Sequence, residues 1–146
     1  MVSRSATSGS PHTKPQRAFT RIDQNVPVNF TFDGRRYRGF AGDTLASALL
    51  ANNVHLVGRS FKYHRPRGIM AAGSEEPNAL IRLGKGAYAE PNLRATQIEI
   101  FEGLYAESQN RSPSLKFDIG AINSVLDRFF PAGFYYKTFM WPASMW

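Results

Sequence analysis

Apolar and polar residues alternate over residues 26–42, VPVNFTFDGRRYRGFAG, and the alternation predicts a β-hairpin. Asp33-Gly34 is a favoured two-residue hairpin turn between the two alternating segments. Such a turn pairs Phe32 with Arg35, Phe30 with Tyr37 and Val28 with Gly39. This register puts four apolar or aromatic side chains on one face and four polar ones on the other. The apolar face holds Val28, Phe30, Phe32 and Tyr37, and the polar face holds Asn29, Thr31, Arg36 and Arg38.

The next segment, GDTLASALLANNV (42–54), has the spacing of a helix. Asp43 or Thr44 is a suitable N-terminal cap. Positions at i, i+3, i+4 and i+7 form a narrow core-facing stripe, made of Leu45, Ala48, Leu49 and Asn52. The Asn52-Asn53 pair favours the left-handed conformation that ends a helix.

A second helical pattern covers DIGAINSVLDRFF (118–130). Asp118 is the predicted cap, and Pro131 with Gly133 predicts the end. The predicted apolar stripe consists of Ile119, Ile122, Leu126 and Phe129.

Three further segments have extended character: 54–58, 78–84, and 96–108, the last as one or two strands. Gly84 and Gly86 lie where the segment 78–84 ends, and they predict a turn. Their spacing does not fit a phosphate-binding motif. The order of hairpin, helix, long loop and strands predicts an α+β fold. We expect a ferredoxin-like β-grasp sheet with a packed helix over 21–117, followed by a C-terminal helix and an aromatic-rich extension over 118–146.

Composition limits the classes of function. The chain of 146 residues has a net charge of +7 and no cysteine, which excludes disulfides, thiolate metal sites and cysteine nucleophiles. The absence of cysteine fits a cytoplasmic protein, and no apolar run approaches the roughly 18 residues of a membrane span. Residues 1–20 are acid-free and rich in Ser, Thr and Arg; we expect a disordered leader, with a transit peptide as the alternative.

Hydrolytic chemistry has little support in the sequence. His12 lies in the leader, which leaves His55 and His64 as possible bases, and no Ser/His/Asp arrangement follows from spacing. We expect His55 and His64 to be structural. Glu75 and Glu76 are adjacent and would point to opposite sides of an extended segment, so they predict a solvated charge pair and not a catalytic carboxylate pair.

The strongest charge feature is a basic segment from Arg35 to Arg67, which holds seven Lys and Arg residues and one acid, Asp43. Tyr37, Phe61 and Tyr63 are interleaved with the cations. This pattern suits nucleic acid, an anionic cofactor, a protein interface or plain solvated surface. The chain end is the second unusual feature, because 8 of the 19 aromatic residues lie in the last 18 positions. An aromatic end predicts either a partner surface or rings that pack back on the sheet.

Three motifs make the sequence recognisable: SFKYHRPRGI (60–69), ESQN (107–110) and GFYYKTFMWP (133–142). From about residue 17 to its end, the chain resembles the N-terminal domain of the α subunit of heterotetrameric sarcosine oxidases. That domain belongs to the ferredoxin-like group found in several flavin-dependent amine and amino-acid dehydrogenases.

In cluster-bearing members of the group, the loop that follows the counterpart of SFKYHRPRGI looks like a C-x4-C-x2-C pattern, with a fourth Cys at the start of a later strand. Laid on this sequence, the pattern falls on Ala71, Glu76, Ala79 and Thr96. None of the four is a thiolate, and an iron–sulfur cluster needs four soft ligands. The resemblance therefore implies a cluster-type loop without its ligands, and we expect no metal site.

The resemblance also implies the chemistry of a larger assembly. Such an enzyme oxidises sarcosine to glycine at FAD in its β subunit, yielding formaldehyde or methylene-tetrahydrofolate, and passes electrons through FMN to oxygen to give peroxide. NAD binds a Rossmann-type domain of the α subunit, which would follow residue 146. We expect this chain to be a fragment or isolated domain that is not catalytic itself, holds no cofactor, and contacts the rest of the α subunit and the β, γ and δ subunits.

The candidate interface or anion contacts in this segment are Lys62, Arg65 and Arg67, of which Arg65 and Arg67 flank Pro66. The sequence leaves two alternatives open: a stand-alone basic nucleic-acid-binding module, or a subunit of a related amino-acid dehydrogenase complex. We expect neither a nucleic-acid partner nor a membrane partner.

Overall fold

The predicted hairpin is present with its predicted register. In the computed structural model, which describes residues 22–126, β1 (Asp23–Phe32) pairs antiparallel with β2 (Arg35–Ala41). Phe30 lies opposite Tyr37 and Val28 opposite Gly39, and the Phe30 and Tyr37 rings stack 5.8 Å apart. Asp33 and Gly34 both have positive φ, at 50° and 77°, as this two-residue turn requires.

Seven strands and two α-helices make up the described part. After the hairpin come α1 (Leu45–Ala51), β3 (Leu56–Arg59), β4 (Pro66–Gly68), β5 (Leu80–Leu83), β6 (Glu90–Arg94), β7 (Leu104–Ser108) and α2 (Ile122–Val125). A five-stranded sheet has the order β2-β1-β7-β5-β6, and β3 pairs with β4 as a separate ribbon. β1 and β7 run parallel while the other pairs are antiparallel, so the expected α+β, β-grasp class is confirmed.

Helix α1 covers one face of the sheet. Thr44 is its cap, and the Thr44 hydroxyl oxygen accepts a hydrogen bond from the Ser47 N–H. Asn53 takes the predicted left-handed conformation with φ 60°. Of the predicted stripe, Leu45, Ala48 and Leu49 are fully buried, whereas Asn52 is half-buried at the end of the helix. The buried stripe packs with sheet residues including Phe30, Phe32, Ile81, Leu104 and Ala106 in one hydrophobic core.

Three strand predictions need correction. The predicted long loop contains the short strand β4, which pairs with β3. Residues 96–103 form turns and loop, so the predicted strand segment 96–108 supplies only β7. β6, at Glu90–Arg94, was not predicted, because its residues are mostly exposed and include Pro91. β6 is an edge strand of the sheet, where one-sided pairing and a proline are tolerated.

The predicted second helix begins as a 3₁₀ turn at Ile119–Ala121 and continues as α2. Asp118 occupies the predicted N-cap position, but its side chain makes no capping hydrogen bond to this turn. The predicted core stripe is wrong at Ile119 and Ile122, which are 64 % and 59 % exposed. Phe129, the leader and the aromatic end lie outside the described residues. Over residues 22–126, no helix combines the length and apolarity that crossing a membrane takes.

Candidate functional site: the cluster-type loop and the basic loop

Two loops carry the candidate chemistry. The basic loop, residues 59–67, connects β3 to β4 and includes β4's first two residues. The cluster-type loop, residues 69–79, runs from β4 to β5, and Thr96 lies just after β6. The four sequence positions that correspond to cluster ligands are connected here, because the Ala71 and Ala79 N–H groups donate to the Glu76 carboxylate and Thr96 donates to the Gly73 carbonyl oxygen of the same loop. Glu76, Ala79 and Thr96 are buried and Ala71 is half-buried.

The Glu76 carboxylate lies at the centre of the cluster-type loop and accepts four backbone hydrogen bonds. Oε2 accepts from the N–H groups of Met70 at 2.7 Å and Ala71 at 2.5 Å. Oε1 accepts from Asn78 at 2.7 Å and Ala79 at 3.0 Å. One side chain thus binds the beginning and the end of the loop.

Burial alone raises the pKa of Glu76, since it disfavours the charged form. The backbone hydrogen bonds from Ala71, Asn78, Met70 and Ala79 oppose that effect and outweigh it, so the pKa lies below its ordinary value. The ionised carboxylate is therefore the form that the folded loop stabilises.

The expected solvated Glu75-Glu76 pair is wrong for Glu76. The two side chains do separate, since Glu75 is exposed and Glu76 has no exposed surface. Glu75 Oε1 accepts a hydrogen bond from the nearby Gly73 N–H, at 3.1 Å. The sequence held one signal for the difference: Glu76 falls at a position that resembles a cluster ligand, where a buried, loop-organising group is needed.

These residues do not fit an iron–sulfur cluster. Two of the four positions are alanine methyl groups, and the others offer one carboxylate and one hydroxyl, where a cluster requires soft sulfur ligands. Thr96 Oγ1 is already engaged, since it donates to the Gly73 carbonyl oxygen at 2.7 Å. Within residues 22–126, no group of three or more His, Asp or Glu side chains is placed to hold a metal ion.

Arg59 and His64 of the basic loop turn toward the protein. Arg59 donates through Nε and Nη2 to the Leu115 carbonyl oxygen, at 3.0 and 2.5 Å, and through Nη1 to the His64 carbonyl oxygen at 2.6 Å. Asp118, whose side chain is fully buried, lies 3.5 Å from Arg59 Nε. Asp118 Oδ1 is 2.8 Å from His64 Nδ1, without the angles of a hydrogen bond. We name this contact set the Asp118 clasp.

The three candidate contact residues point outward to different degrees. Arg65 and Arg67 are exposed and Lys62 is half-buried. The Arg65 guanidinium lies 4.8 Å from the centre of the Tyr63 ring, and Arg67 Nη1 donates to Asn78 Oδ1 at 2.7 Å. Lys62 and Arg67 line an open groove of about 770 Å³, together with Phe61, Asn78, Asn92 and Asn110.

The basic segment read from the sequence is not one continuous surface. Tyr37 lies away from the basic loop, in the hairpin, where its ring packs on Phe30. Arg35 lines a separate cavity with Tyr37, and Arg59 is directed inward. Of the interleaved aromatics, Phe61 is 67 % exposed and borders the groove.

Other sequence candidates have structural contacts. His55 Nε2 lies 2.8 Å from Asn53 Oδ1, at the end of α1. Gly84 and Gly86 adopt positive φ, at 82° and 62°, which fits the predicted turn. Sequence reasoning missed the contacts of Asp118 and Leu115 with the basic loop, since no local pattern links positions more than fifty residues apart.

The family model for the 2Fe-2S iron–sulfur cluster binding domain matches residues 25–111. The chain belongs to this family. It does so without the family's thiolates, since the match includes Ala71, Glu76, Ala79 and Thr96. This chain therefore keeps the fold of the family and has a carboxylate at the centre of the cluster-type loop.

Curated relatives extend the similarity along the chain. The sarcosine oxidase subunit alpha of Rhizobium meliloti (strain 1021) is 64 % identical over 137 residues, which cover 94 % of this chain and 14 % of the relative. The sarcosine oxidase subunit alpha of Corynebacterium sp. (strain U-96) is 44 % identical over 103 residues, covering 64 % of this chain and 11 % of the relative. The resemblance inferred from the motifs is confirmed.

The chain spans 10–14 % of the length of these curated relatives. Among solved structures, L-proline dehydrogenase from P. horikoshii is similar with a TM-score of 0.46 and 24 % identity, over 57 % of this chain and 15 % of that chain.

Proposed function

We propose that this chain is the ferredoxin-like domain of a sarcosine oxidase α subunit and serves as a structural and interaction domain. The observation that carries the proposal is the 64 % identity over nearly the whole chain to a sarcosine oxidase subunit alpha. The parent enzyme is an oxidoreductase that demethylates sarcosine to glycine, with oxygen as electron acceptor. We place it in the cytoplasm, as an assembly with β, γ and δ subunits.

The redox chemistry belongs to other parts of that assembly. FAD, FMN and NAD are assigned to it by resemblance, and this chain contributes at most the candidate anion contacts Lys62, Arg65 and Arg67. The cluster-type loop supports a non-redox role, because its centre is filled by a carboxylate and its ligand positions lack sulfur. In this proposal the domain contributes surface and rigidity.

The first experiment asks whether the isolated 146-residue chain carries electrons. We expect a colourless protein without iron and without sarcosine-oxidising activity. The measurements are visible absorbance, iron, and acid-labile sulfide after anaerobic reconstitution. Stoichiometric sulfide with an iron–sulfur spectrum would contradict the proposal.

Lys62, Arg65 and Arg67 are the proposed contacts with the rest of the assembly. They border or adjoin the open groove, where a carboxylate of a neighbouring domain or an anionic cofactor group would meet guanidinium donors. The test introduces Arg65→Ala and Arg67→Ala into the complete enzyme and measures subunit association, flavin content and turnover. We expect a loss in at least one of the three. Wild-type values in all three would assign the loop to solvated surface.

A stand-alone nucleic-acid-binding module is the second candidate, favoured by the charge of +7 and by the exposed Phe61 beside the groove. Single-stranded DNA binding at physiological salt, with a salt slope that Arg65→Ala and Arg67→Ala reduce, would support it over the first. The same titration without binding would leave the enzyme-domain proposal in place.

A further inference from the structure

The cluster-type loop has the construction of an anion site. The backbone N–H groups of Met70, Ala71, Asn78 and Ala79 all point at one position, where they meet the Glu76 carboxylate. None of the four residues lies in a strand or helix. Convergent backbone N–H groups outside regular structure form concavities that bind anions. We call these four groups the anion cradle.

The carboxylate is shared between the two sides of the cradle. Oε2 faces the N–H groups of Met70 and Ala71, and Oε1 faces those of Asn78 and Ala79. Each oxygen therefore accepts two hydrogen bonds, and each pair of donors comes from adjacent residues. A planar carboxylate satisfies this arrangement, whereas an uncharged side chain would leave buried donors without an acceptor.

The loop is also held by contacts that do not involve the carboxylate. Arg94 Nε donates to the Glu76 backbone carbonyl oxygen at 3.1 Å. Thr96 Oγ1 donates to the Gly73 carbonyl oxygen, and the Ala95 N–H donates to the Ala79 carbonyl oxygen at 2.9 Å. These bonds attach the loop to the end of β6 and to the two residues after it, at three points. They would persist if the Glu76 side chain were removed, and they would keep the donors near their present positions.

We propose that the cluster-type loop is a carboxylate-binding site that the chain fills with its own Glu76, and that it binds a small free carboxylate when this side chain is absent. The site occupies the position where the family carries its cluster ligands, so an internal anion organises a loop that a metal cluster organises elsewhere. This inference concerns the loop alone and stands independently of the parent enzyme's reaction.

The test is chemical rescue in the Glu76→Ala variant of the 146-residue chain, with acetate as the probe. This substitution removes the γ-methylene and the carboxylate, and acetate supplies a methyl group and a carboxylate of matching size. The matched control is Glu75→Ala, which removes the neighbouring exposed carboxylate. Sodium chloride at the same ionic strength controls for screening. Thermal unfolding and the amide NMR shifts of the four cradle residues are the readouts.

We expect the Glu76→Ala variant to melt at a lower temperature than wild type. Sodium acetate should raise its melting temperature by several degrees, with saturation, because a ligand that binds only the folded state stabilises it. The four cradle amides should shift together during the titration. Wild type and Glu75→Ala should respond to acetate no more than to chloride. A Glu76→Ala variant that folds and ignores acetate would overturn the proposal.

A second measurement decides the matter if the Glu76→Ala variant does not fold. In the wild-type chain, hydrogen exchange should be slow at Met70, Ala71, Asn78 and Ala79, and fast at the neighbouring Ser74, whose N–H is in no such cradle. Slow exchange at all four amides supports the bound carboxylate. Exchange at the four as fast as at Ser74 would mean that Glu76 does not hold the loop, and the proposal would fail.

Discussion

The basic loop and the cluster-type loop follow one another in the chain and are ordered in opposite ways. The cluster-type loop encloses a negative group, and its four hydrogen bonds to Glu76 span at most 6 positions in sequence. The basic loop is held at a positive group, Arg59, whose acceptor Leu115 is 56 positions away. The cluster-type loop is organised around its own Glu76 side chain, and the basic loop depends on the segment that leads into α2.

This difference shows what happens to a cluster-type loop that lacks cluster ligands. The loop remains ordered because an anion still occupies its centre, and backbone N–H groups supply the donors whatever the side chains are. The basic loop has no such internal ligand. It has hydrogen bonds of its own among Ser60, His64 and Arg65, and long-range contacts with Leu115, Asp118 and Asn123 attach it to the rest of the domain. Arg65 and Arg67 stay exposed.

The largest effect is expected from Glu76→Gln, which breaks the internally organised loop. The amide keeps the size of the side chain but places an NH₂ donor against backbone donors. We expect a loss of about 3 kcal/mol in the free energy of unfolding, because at least two buried N–H groups lose an acceptor. Urea denaturation measures the loss, and Glu75→Gln is the control, expected within about 0.5 kcal/mol of wild type. Equal losses in the two variants would remove the distinction between the neighbouring carboxylates.

Asp118→Ala is expected to break the other loop at a smaller cost, about 2 kcal/mol, because Arg59 keeps its bonds to Leu115 and His64. Amide NMR shifts should change in residues 59–64 and 112–118 and stay as they are in residues 70–79. Asp23→Ala, at an exposed carboxylate, serves as the control. Shifts that spread equally into the cluster-type loop would show that the two loops are not independent.

Acid should weaken the cluster-type loop selectively. The pKa of Glu76 is lowered in the folded protein, so its contribution to stability is fully present above the ordinary Glu pKa of about 4.3 and is lost as the pH falls through the lowered value. Wild type and Glu76→Gln should therefore converge in stability in acid. A stability difference between them that is constant from about pH 7 to about pH 3 would contradict the ionised carboxylate.

Thr96→Val tests the external attachment of the cluster-type loop. The substitution preserves shape and removes the hydrogen bond from Thr96 Oγ1 to the Gly73 carbonyl oxygen. We expect a loss of about 1 kcal/mol, the usual contribution of one such bond. Chemical denaturation measures this loss of stability, and Thr31→Val, on the polar face of the hairpin, is the comparison. No loss at Thr96 would mean that this bond does not contribute to holding the loop.

The smallest effect is expected from Arg67→Ala in the isolated chain, within about 0.5 kcal/mol of wild type, since the side chain is exposed and bonds only to Asn78 among the contacts described. The same substitution in the complete enzyme is the one expected to impair assembly or flavin content. A large loss in the isolated chain would make Arg67 part of the loop's own structure, as Arg59 is.

Local sequence determined the hairpin, the first helix and the fold class. The Asp33-Gly34 turn sets the register by its backbone geometry, and the cap at Thr44 with the stripe of Leu45, Ala48 and Leu49 needs only the 3.6-residue period to be recognised. The positions that correspond to cluster ligands were likewise visible in the sequence, as was the lack of sulfur at them.

Tertiary structure decided which charges are buried. Local pattern predicts a solvated pair for Glu75 and Glu76, although only Glu76 falls at a position that resembles a cluster ligand. Only the folding of the loop directs four N–H groups at Glu76. Asp118 was expected to cap a helix, yet it lies in the clasp with Arg59 and His64, because its contacts join segments far apart in the chain. Periodicity reports which face of a helix or strand is apolar. It carries no information about which distant backbone group or side chain a polar residue will meet, and that meeting determines its role.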